Sequence, residues 1–293
     1  MSIVNLAVYK FFRWPEYAAH REGFRAACAK SQLKGTILLS PEGINCFLAG
    51  SRAGIDAFLQ ELRVRTGIQE FHTKESFSET VPFTRMLVKL KNEIIPLGDP
   101  TLRPDEDPAP FVKPLELKRW LDEGKDVVLL DTRNDYEYRL GSFKDAVLLP
   151  LQHFRKFGEG IAKLPADVKK RRVVTFCTGG IRCEKAAPYL LRQGFEDVYQ
   201  LEGGILDYFK EAGGAHYQGE CFVFDRRVAL DFEQKPTKAK ICYNCLQPLT
   251  EEDQKSPHYR IRISCPFCVS GKKEQTHGAS NTSQGMATKT SNL

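Results

Sequence analysis

The 293-residue chain has no apolar run approaching the roughly 18 residues needed to span a bilayer, and no internal repeat. Its first residues, MSIVNLAVYKFFRWPEY, acquire charge too early for a secretory signal. No stretch reads as a flavin, haem or iron site. These absences argue against a membrane or exported protein, so the expectation is a cytoplasmic chain without a membrane partner. Apolar residues are not scarce: at 42% of the chain they can fill more than one core, which predicts two or three domains.

Cysteine is abundant, with nine residues. In a cytoplasmic chain that number points to metal binding or redox chemistry before structural disulfides. Cys28 and Cys46 stand singly in apolar contexts and read as small buried hydrophobes. Cys221 is also isolated, whereas Cys177 and Cys183 bracket a turn and Cys242, Cys245, Cys265 and Cys268 form two CxxC pairs. The net charge of +6 resides in the flanks, since residues 96–212 are nearly neutral. Basic flanks suit a polyanion such as RNA, and equally an ordinary solvated surface.

Residues 1–95 read as strand (3–12), helix (15–32), two strands joined at Pro41-Glu42-Gly43, helix (51–67) and closing strand (84–95). That βαββαβ order predicts a ferredoxin-like, acylphosphatase-like α+β domain with two helices on one face of an antiparallel sheet. Residues 96–113, rich in proline and without periodicity, read as a linker. From Pro114 to 212, continuous apolar runs (VVLLDTR, AVLLP, VVTFC, VYQLEGGI) alternate with helical segments, which predicts an α/β domain on a parallel sheet covered on both faces. Residues 213–270 form a small cysteine-rich segment, and the polar stretch 271–293 is expected to be disordered.

The most informative stretch is VVTFCTGGIRCEKAAPYLLRQGF, 173–195. After a buried strand the chain must reverse into a helix, and Gly179 and Gly180 supply the freedom to do so. The loop amides then converge above the Cys177 sulfur and, with the helix N-terminus, favour its thiolate. Arg182 follows Cys177 after four residues, a ring sized for sulfur rather than for a tetrahedral oxyanion. Thr178, Gly179, Gly180, Ile181 and Cys183 complete the active-site loop, with Cys177 and Arg182 as the catalytic candidates. Arg182 either closes the anion site, binds a partner's phosphate, or pairs with an acid such as Asp131 or Glu202. Cys183 either resolves an oxidised Cys177 as a disulfide or simply packs in the first helical turn.

DTRNDYE (131–137), CTGGIRCEKA (177–186) and LEGGI (201–205) resemble a rhodanese domain, with Cys177 at the family's active-site position. The six-residue loop is similar to that of sulfur-transferring members, and the Asp131 and Arg133 pair is largely architectural in rhodaneses. Joined to an N-terminal module containing SPEGIN (40–45) and to a cysteine-paired tail, the chain resembles the bacterial tRNA uridine(34) hydroxylases of the rhodanese superfamily. That resemblance implies oxygen-dependent hydroxylation of the wobble uridine at C5 to 5-hydroxyuridine, with tRNA as partner, molecular oxygen as co-substrate, an unspecified electron donor and an essential Cys177. Thiolate addition to C6, which makes C5 electron-rich, is one route; a sulfenic or peroxidic oxygen on Cys177 is another.

The N-terminal module offers Lys10, Arg13, Arg21, Arg25 and Lys34, interleaved with Phe11, Phe12 and Trp14, as RNA-contacting types, although at least one of Phe11 and Phe12 must face its own core. The spacing Cys242-x2-Cys245, 19 residues, Cys265-x2-Cys268 fits a structural four-thiolate zinc site that leaves no open position, with reduced or disulfide-linked thiols as the alternative. The competing functions are a sulfurtransferase carrying persulfide on Cys177 to a small acceptor or tRNA, and a non-catalytic binding module.

Overall fold

The computed structural model describes residues 2–269, so the expected disorder of 271–293 lies outside the described residues. The first domain comprises β1 (Ile3–Phe11), α1 (Arg21–Lys30), β2 (Lys34–Ser40), β3 (Gly43–Gly50), α2 (Arg52–Thr66), β4 (Thr73–Ser78) and β5 (Met86–Leu90). Alternation along β1 sends Val4, Leu6 and Val8 to one face, where they pack with Phe24 and Cys28 of α1 and Ile55, Phe58 and Leu62 of α2. Each such side chain contributes about 1.5–3 kcal/mol on burial. Helix α2 starts where the Ser51 hydroxyl accepts the Gly54 N–H at 3.1 Å and stops at Gly67, whose φ of 73° ends the helical run.

The sheet order is β4-β1-β3-β2-β5. The expected ferredoxin-like order is present, but the strand that completes it is β4, antiparallel to β1, and not the segment 84–95. That segment supplies β5, parallel to β2 on the opposite edge. The sequence TKESFS of β4 is too polar to announce itself as a strand. It is an edge strand, and it lines a cavity shared with the second domain.

The second domain contains β6 (Phe111–Val112), α3 (Pro114–Asp122), β7 (Val127–Asp131), α4 (Asp135–Tyr138), β8 (Gly141–Phe143), β9 (Val147–Leu148), α5 (Phe157–Ile161), β10 (Arg172–Phe176), α6 (Ile181–Arg192), β11 (Asp197–Leu201) and α7 (Gly204–Ala212). Its main sheet, β6-β11-β10-β7-β9, is parallel throughout. Val128, Leu130 and Val173 face Ala186 and Leu190 of α6, while Leu129, Val174 and Phe176 face Leu117 of α3 and Tyr208 and Phe209 of α7. Both faces are therefore covered, which is why these strands read as unbroken apolar runs.

Residues 96–113 correct the expectation of a free linker. Leu97, Leu102 and Ala109 are buried in the second domain's core, and Phe111–Val112 forms an edge strand of its sheet. Prolines suppressed the periodicity without preventing burial. Beyond α7, β12 (Tyr217–Gly219) pairs with β8, and β13 (Cys221–Phe222) pairs with β14 (Ala229–Leu230). Then come β15 (Lys240–Ile241), β16 (Pro248–Leu249), α8 (Glu251–Lys255) and α9 (Pro266–Val269). Among the described residues no helix is long and apolar enough to cross a membrane.

Candidate active site

At the end of β10 the chain turns through Cys177-Thr178-Gly179-Gly180, and α6 starts at Ile181. Gly180 adopts φ 96°, a conformation that favours glycine, and its N–H donates to Cys177 Sγ at 3.1 Å. The Arg182 amide also donates to this sulfur. The loop's carbonyls are held from the other side: Ile205 N–H donates to the Cys177 oxygen at 2.9 Å and Leu206 N–H to the Thr178 oxygen at 3.1 Å. Gly204, with φ 67°, permits this approach, because a Cβ there would lie 2.4 Å from the Cys177 carbonyl oxygen. The Gly-Gly of LEGGI thus orients the cysteine loop from a neighbouring helix.

Cys177 and Cys183 are both fully buried. Burial opposes a charge on Cys177, but the Cys183 thiol donating to it, the Arg182 guanidinium and the amides of Arg182 and Gly180 outweigh that cost. The Cys177 thiol is held well below the ordinary thiol range, and Cys183 well above it, as burial and the neighbouring thiolate require. Elsewhere burial prevails: it pushes Cys28 and Cys221 up to about 12 and raises Cys46 as well. Those three are packing residues, as expected for Cys28 and Cys46. Cys183 sits behind Cys177, 3.7 Å from the Thr132 hydroxyl, as a hydrogen-bond donor to the Cys177 sulfur.

Arg182 pairs with an acid, but the acid is Glu137 of α4 and not Asp131 or Glu202. Its two terminal nitrogens donate to the two Glu137 oxygens, the longer contact at 2.8 Å, with both side chains almost completely buried. Asp131 is already engaged by Arg133, whose Nε and Nη2 donate to its oxygens at 2.9 and 2.7 Å. That pair is fully buried and further tied to Ser142 and the Gly141 carbonyl, an architectural brace beneath the loop. Arg182 thus has a fixed orientation and still places its charge beside the thiolate.

The helix-free face of the first domain's sheet roofs this loop. Between them lies a cavity of about 650 Å³. Asn5, Tyr9, Asn45 and Lys74 line it from the sheet, and Cys177, Thr178, Gly179, Ile181 and Arg182 from the loop. Cys177 has no exposed surface of its own, yet it is among the residues that line this cavity. A clasp keeps the roof in place: Lys185 of α6 reaches Glu42 at 2.8 Å and Glu93 at 2.7 Å, and Phe11, Ile94 and Ile181 pack beside it. Glu42 belongs to SPEGIN, so that turn borders the site. Tyr9 hydrogen-bonds Glu184, a second link between the domains.

The interleaved aromatics are not free to stack on bases. Phe11 is buried in the interface, Trp14 is buried in the first core, and Phe12 packs against that core. Lys10, Arg13, Arg21, Arg25 and Lys34 are exposed. Glu42, Lys74, Glu137 and Lys185 escaped the sequence reading as site residues. Glu42, Glu137 and Lys185 lie inside quoted motifs, whereas nothing marked Lys74, a lone lysine in a polar strand.

Cys242, Cys245, Cys265 and Cys268 converge, with all four sulfurs within 4.8 Å of one another. Neighbouring sulfurs stand 3.5–3.6 Å apart. Four sulfurs at about 2.3 Å from a common ion in a tetrahedron would lie roughly 3.8 Å apart, so the cluster has the dimensions of a four-thiolate site.

Residues 3–94 match the family described as UPF0176 acylphosphatase like domain, and residues 113–211 match the rhodanese-like domain. A tRNA uridine(34) hydroxylase of Cupriavidus necator is 50% identical over 280 residues, covering 94% of this chain and 99% of that one. The protein of the same name from Ralstonia nicotianae is 47% identical, covering 92% of this chain and 97% of its own. The one from Paraburkholderia xenovorans is 48% identical, covering 92% and 96%. These matches cover more than nine-tenths of the chain, and the chain belongs to the family of tRNA uridine(34) hydroxylases.

Proposed function

We propose that this protein hydroxylates the wobble uridine of tRNA at C5, giving 5-hydroxyuridine, with Cys177 as the nucleophile. The observation that carries the reading is a stabilised thiolate among the residues lining a two-domain cavity of about 650 Å³. Cavities of about 300–1,000 Å³ accept small organic groups, and a base extruded from an anticodon loop is one. The thiolate adds to C6, and C5 thereby becomes electron-rich. Molecular oxygen is the co-substrate: one atom goes to C5, and the other leaves as water on taking two electrons and two protons from a donor. The active-site loop Cys177 to Cys183 supplies the anion cradle, with Arg182 charged beside the sulfur. The protein works in the cytoplasm, where its tRNA substrate is found.

Zinc fits the four converging cysteines, which would hold it with no open coordination position and would stabilise a segment poor in apolar residues. Residues 1–95 form the RNA-facing roof, and residues 114–212 the catalytic base. A sulfurtransferase would need only the second domain, and the roof over Cys177 disfavours that alternative. The test is mass analysis of tRNA nucleosides from cells lacking the protein and complemented with wild type or Cys177→Ala. Loss of 5-hydroxyuridine and its derivatives in the variant supports hydroxylation, whereas loss of thiolated bases with 5-hydroxyuridine intact refutes it.

A further inference from the structure

Lys74 extends from edge strand β4 across the domain boundary into the cysteine cavity. Its side chain is only 7% exposed. An ammonium offers three donors and no acceptor. Its ionic partner is Asp207, at 4.0 Å, too far for a hydrogen bond, and the same Asp207 oxygen already meets His72 Nε2 at 2.6 Å. The Tyr9 ring lies 5.6 Å from the ammonium. Among the described residues, Lys74 Nζ has no hydrogen-bond acceptor. The ammonium therefore opens onto the cavity with donors free for acceptors on the cavity's occupant.

We propose that Lys74 holds O4 of the target uracil and makes the site selective for uridine over cytidine. The inference rests on the reading of Cys177 as the nucleophile toward C6. At the C4 position uracil presents a carbonyl acceptor and cytosine an amino donor. A donor-only side chain engages the first and is left unpaired, facing another donor, by the second. Lys74 also meets the charge that addition creates. The thiolate electron pair forms the Sγ–C6 bond, the C5=C6 π pair moves to C4–C5, and the C4=O4 π pair moves onto oxygen. The resulting enolate carries its negative charge at O4, and reversal restores uracil and thiolate without any redox partner. Cys177 comes from the second domain and Lys74 from the first, so neither domain alone brings the two groups to one base.

The experiment uses the full chain and synthetic anticodon stem-loops that differ only in uridine or cytidine at position 34. Binding is measured for wild type, Lys74→Met, Lys74→Gln and Lys74→Arg, with thermal unfolding of each as the folding control. Wild type is expected to prefer the uridine RNA by at least about tenfold. Met and Gln should abolish the preference by weakening uridine binding alone, and Arg should retain part of it. Unchanged discrimination in both Met and Gln variants, or none in wild type, overturns the inference. Failure of the Cys177 reading shows separately, as 5-hydroxyuridine persisting in cells that carry only Cys177→Ala.

Discussion

The Arg182 to Glu137 pair has two roles that a double substitution separates. Both side chains are almost fully buried and joined by two parallel hydrogen bonds. Arg182→Met leaves the Glu137 carboxylate buried without its partner, which is expected to cost about 3–5 kcal/mol in unfolding free energy. Arg182→Met combined with Glu137→Leu removes both charges and should recover most of that loss, because replacing a whole buried pair by apolar groups is often close to neutral. Stability would then be restored, but the charge beside Cys177 would not. An opposite charge within about 4–6 Å of a titrating group moves its pKa by about one to three pH units. The Cys177 thiol should therefore titrate about that much higher in the double variant. The sign is fixed: a thiol held low is ionised above its own pKa and loses reactivity as pH falls through it, so raising the pKa moves the loss to higher pH. The assay is the rate of Cys177 alkylation by iodoacetamide against pH, followed by peptide mass mapping to distinguish it from the other eight cysteines, beside urea unfolding. A double variant with wild-type stability and a wild-type alkylation profile would show that Arg182 braces the loop and does nothing for the thiolate.

The remaining predictions test the clasp, the loop's support, the hydrogen-bond donor and the cysteine cluster. Lys185→Met leaves Glu42 and Glu93 facing each other at the domain boundary, and should speed proteolytic cleavage between the domains while lowering cellular 5-hydroxyuridine. Gly204→Ala puts a methyl group 2.4 Å from the Cys177 carbonyl oxygen at a φ of 67°, and should lose activity at least about a hundredfold with the second-domain core intact, read by nucleoside analysis and circular dichroism. Cys183→Ala removes a donor to the sulfur, so Cys177 alkylation should shift to higher pH in that variant also. Treating the purified chain with a strong chelator, or substituting Cys265→Ser, should release one zinc per chain and lower the unfolding temperature of residues 240–269; release of none would rule out the structural zinc.

The second domain was legible because each of its cues is local. A buried parallel strand declares itself by consecutive apolar residues, and the thiol, glycines and arginine of CTGGIRC lie within one turn. The paired CxxC spacing was legible for the same reason. What escaped the sequence depends on long-range pairing. Thr73–Ser78 is polar on both faces, and only its place beside β1 makes it a strand. Residues 96–113 have no period because proline breaks it, yet Leu97, Leu102 and Ala109 find the core through tertiary packing. Pairing with an acid is one of the readings the sequence leaves open for Arg182, and only the short α4 after β7 brings Glu137, rather than Asp131 or Glu202, to it.

The cavity extends the same lesson to chemistry. The rhodanese-like half supplies a thiolate with its own counter-charge, a device complete within 131–206, and such a loop by itself is open to any electrophile that reaches it. Selection must come from elsewhere, and the helix-free sheet face of the first domain lines the cavity shared with the loop. Tyr9 and Lys74 project from that face, held near the loop by the Tyr9 link to Glu184 and the Lys74 proximity to Asp207. The residues that decide which base is attacked therefore belong to a domain with no nucleophile, and the clasp at Lys185 couples the two. Rotating the first domain away by even the length of a side chain would leave Cys177 ionised and reactive but without its selector. Cys177 alkylation in Lys185→Met should accordingly keep its pH profile and become faster as the roof opens, while 5-hydroxyuridine formation falls; a fall in both together would place the clasp's effect in the loop itself.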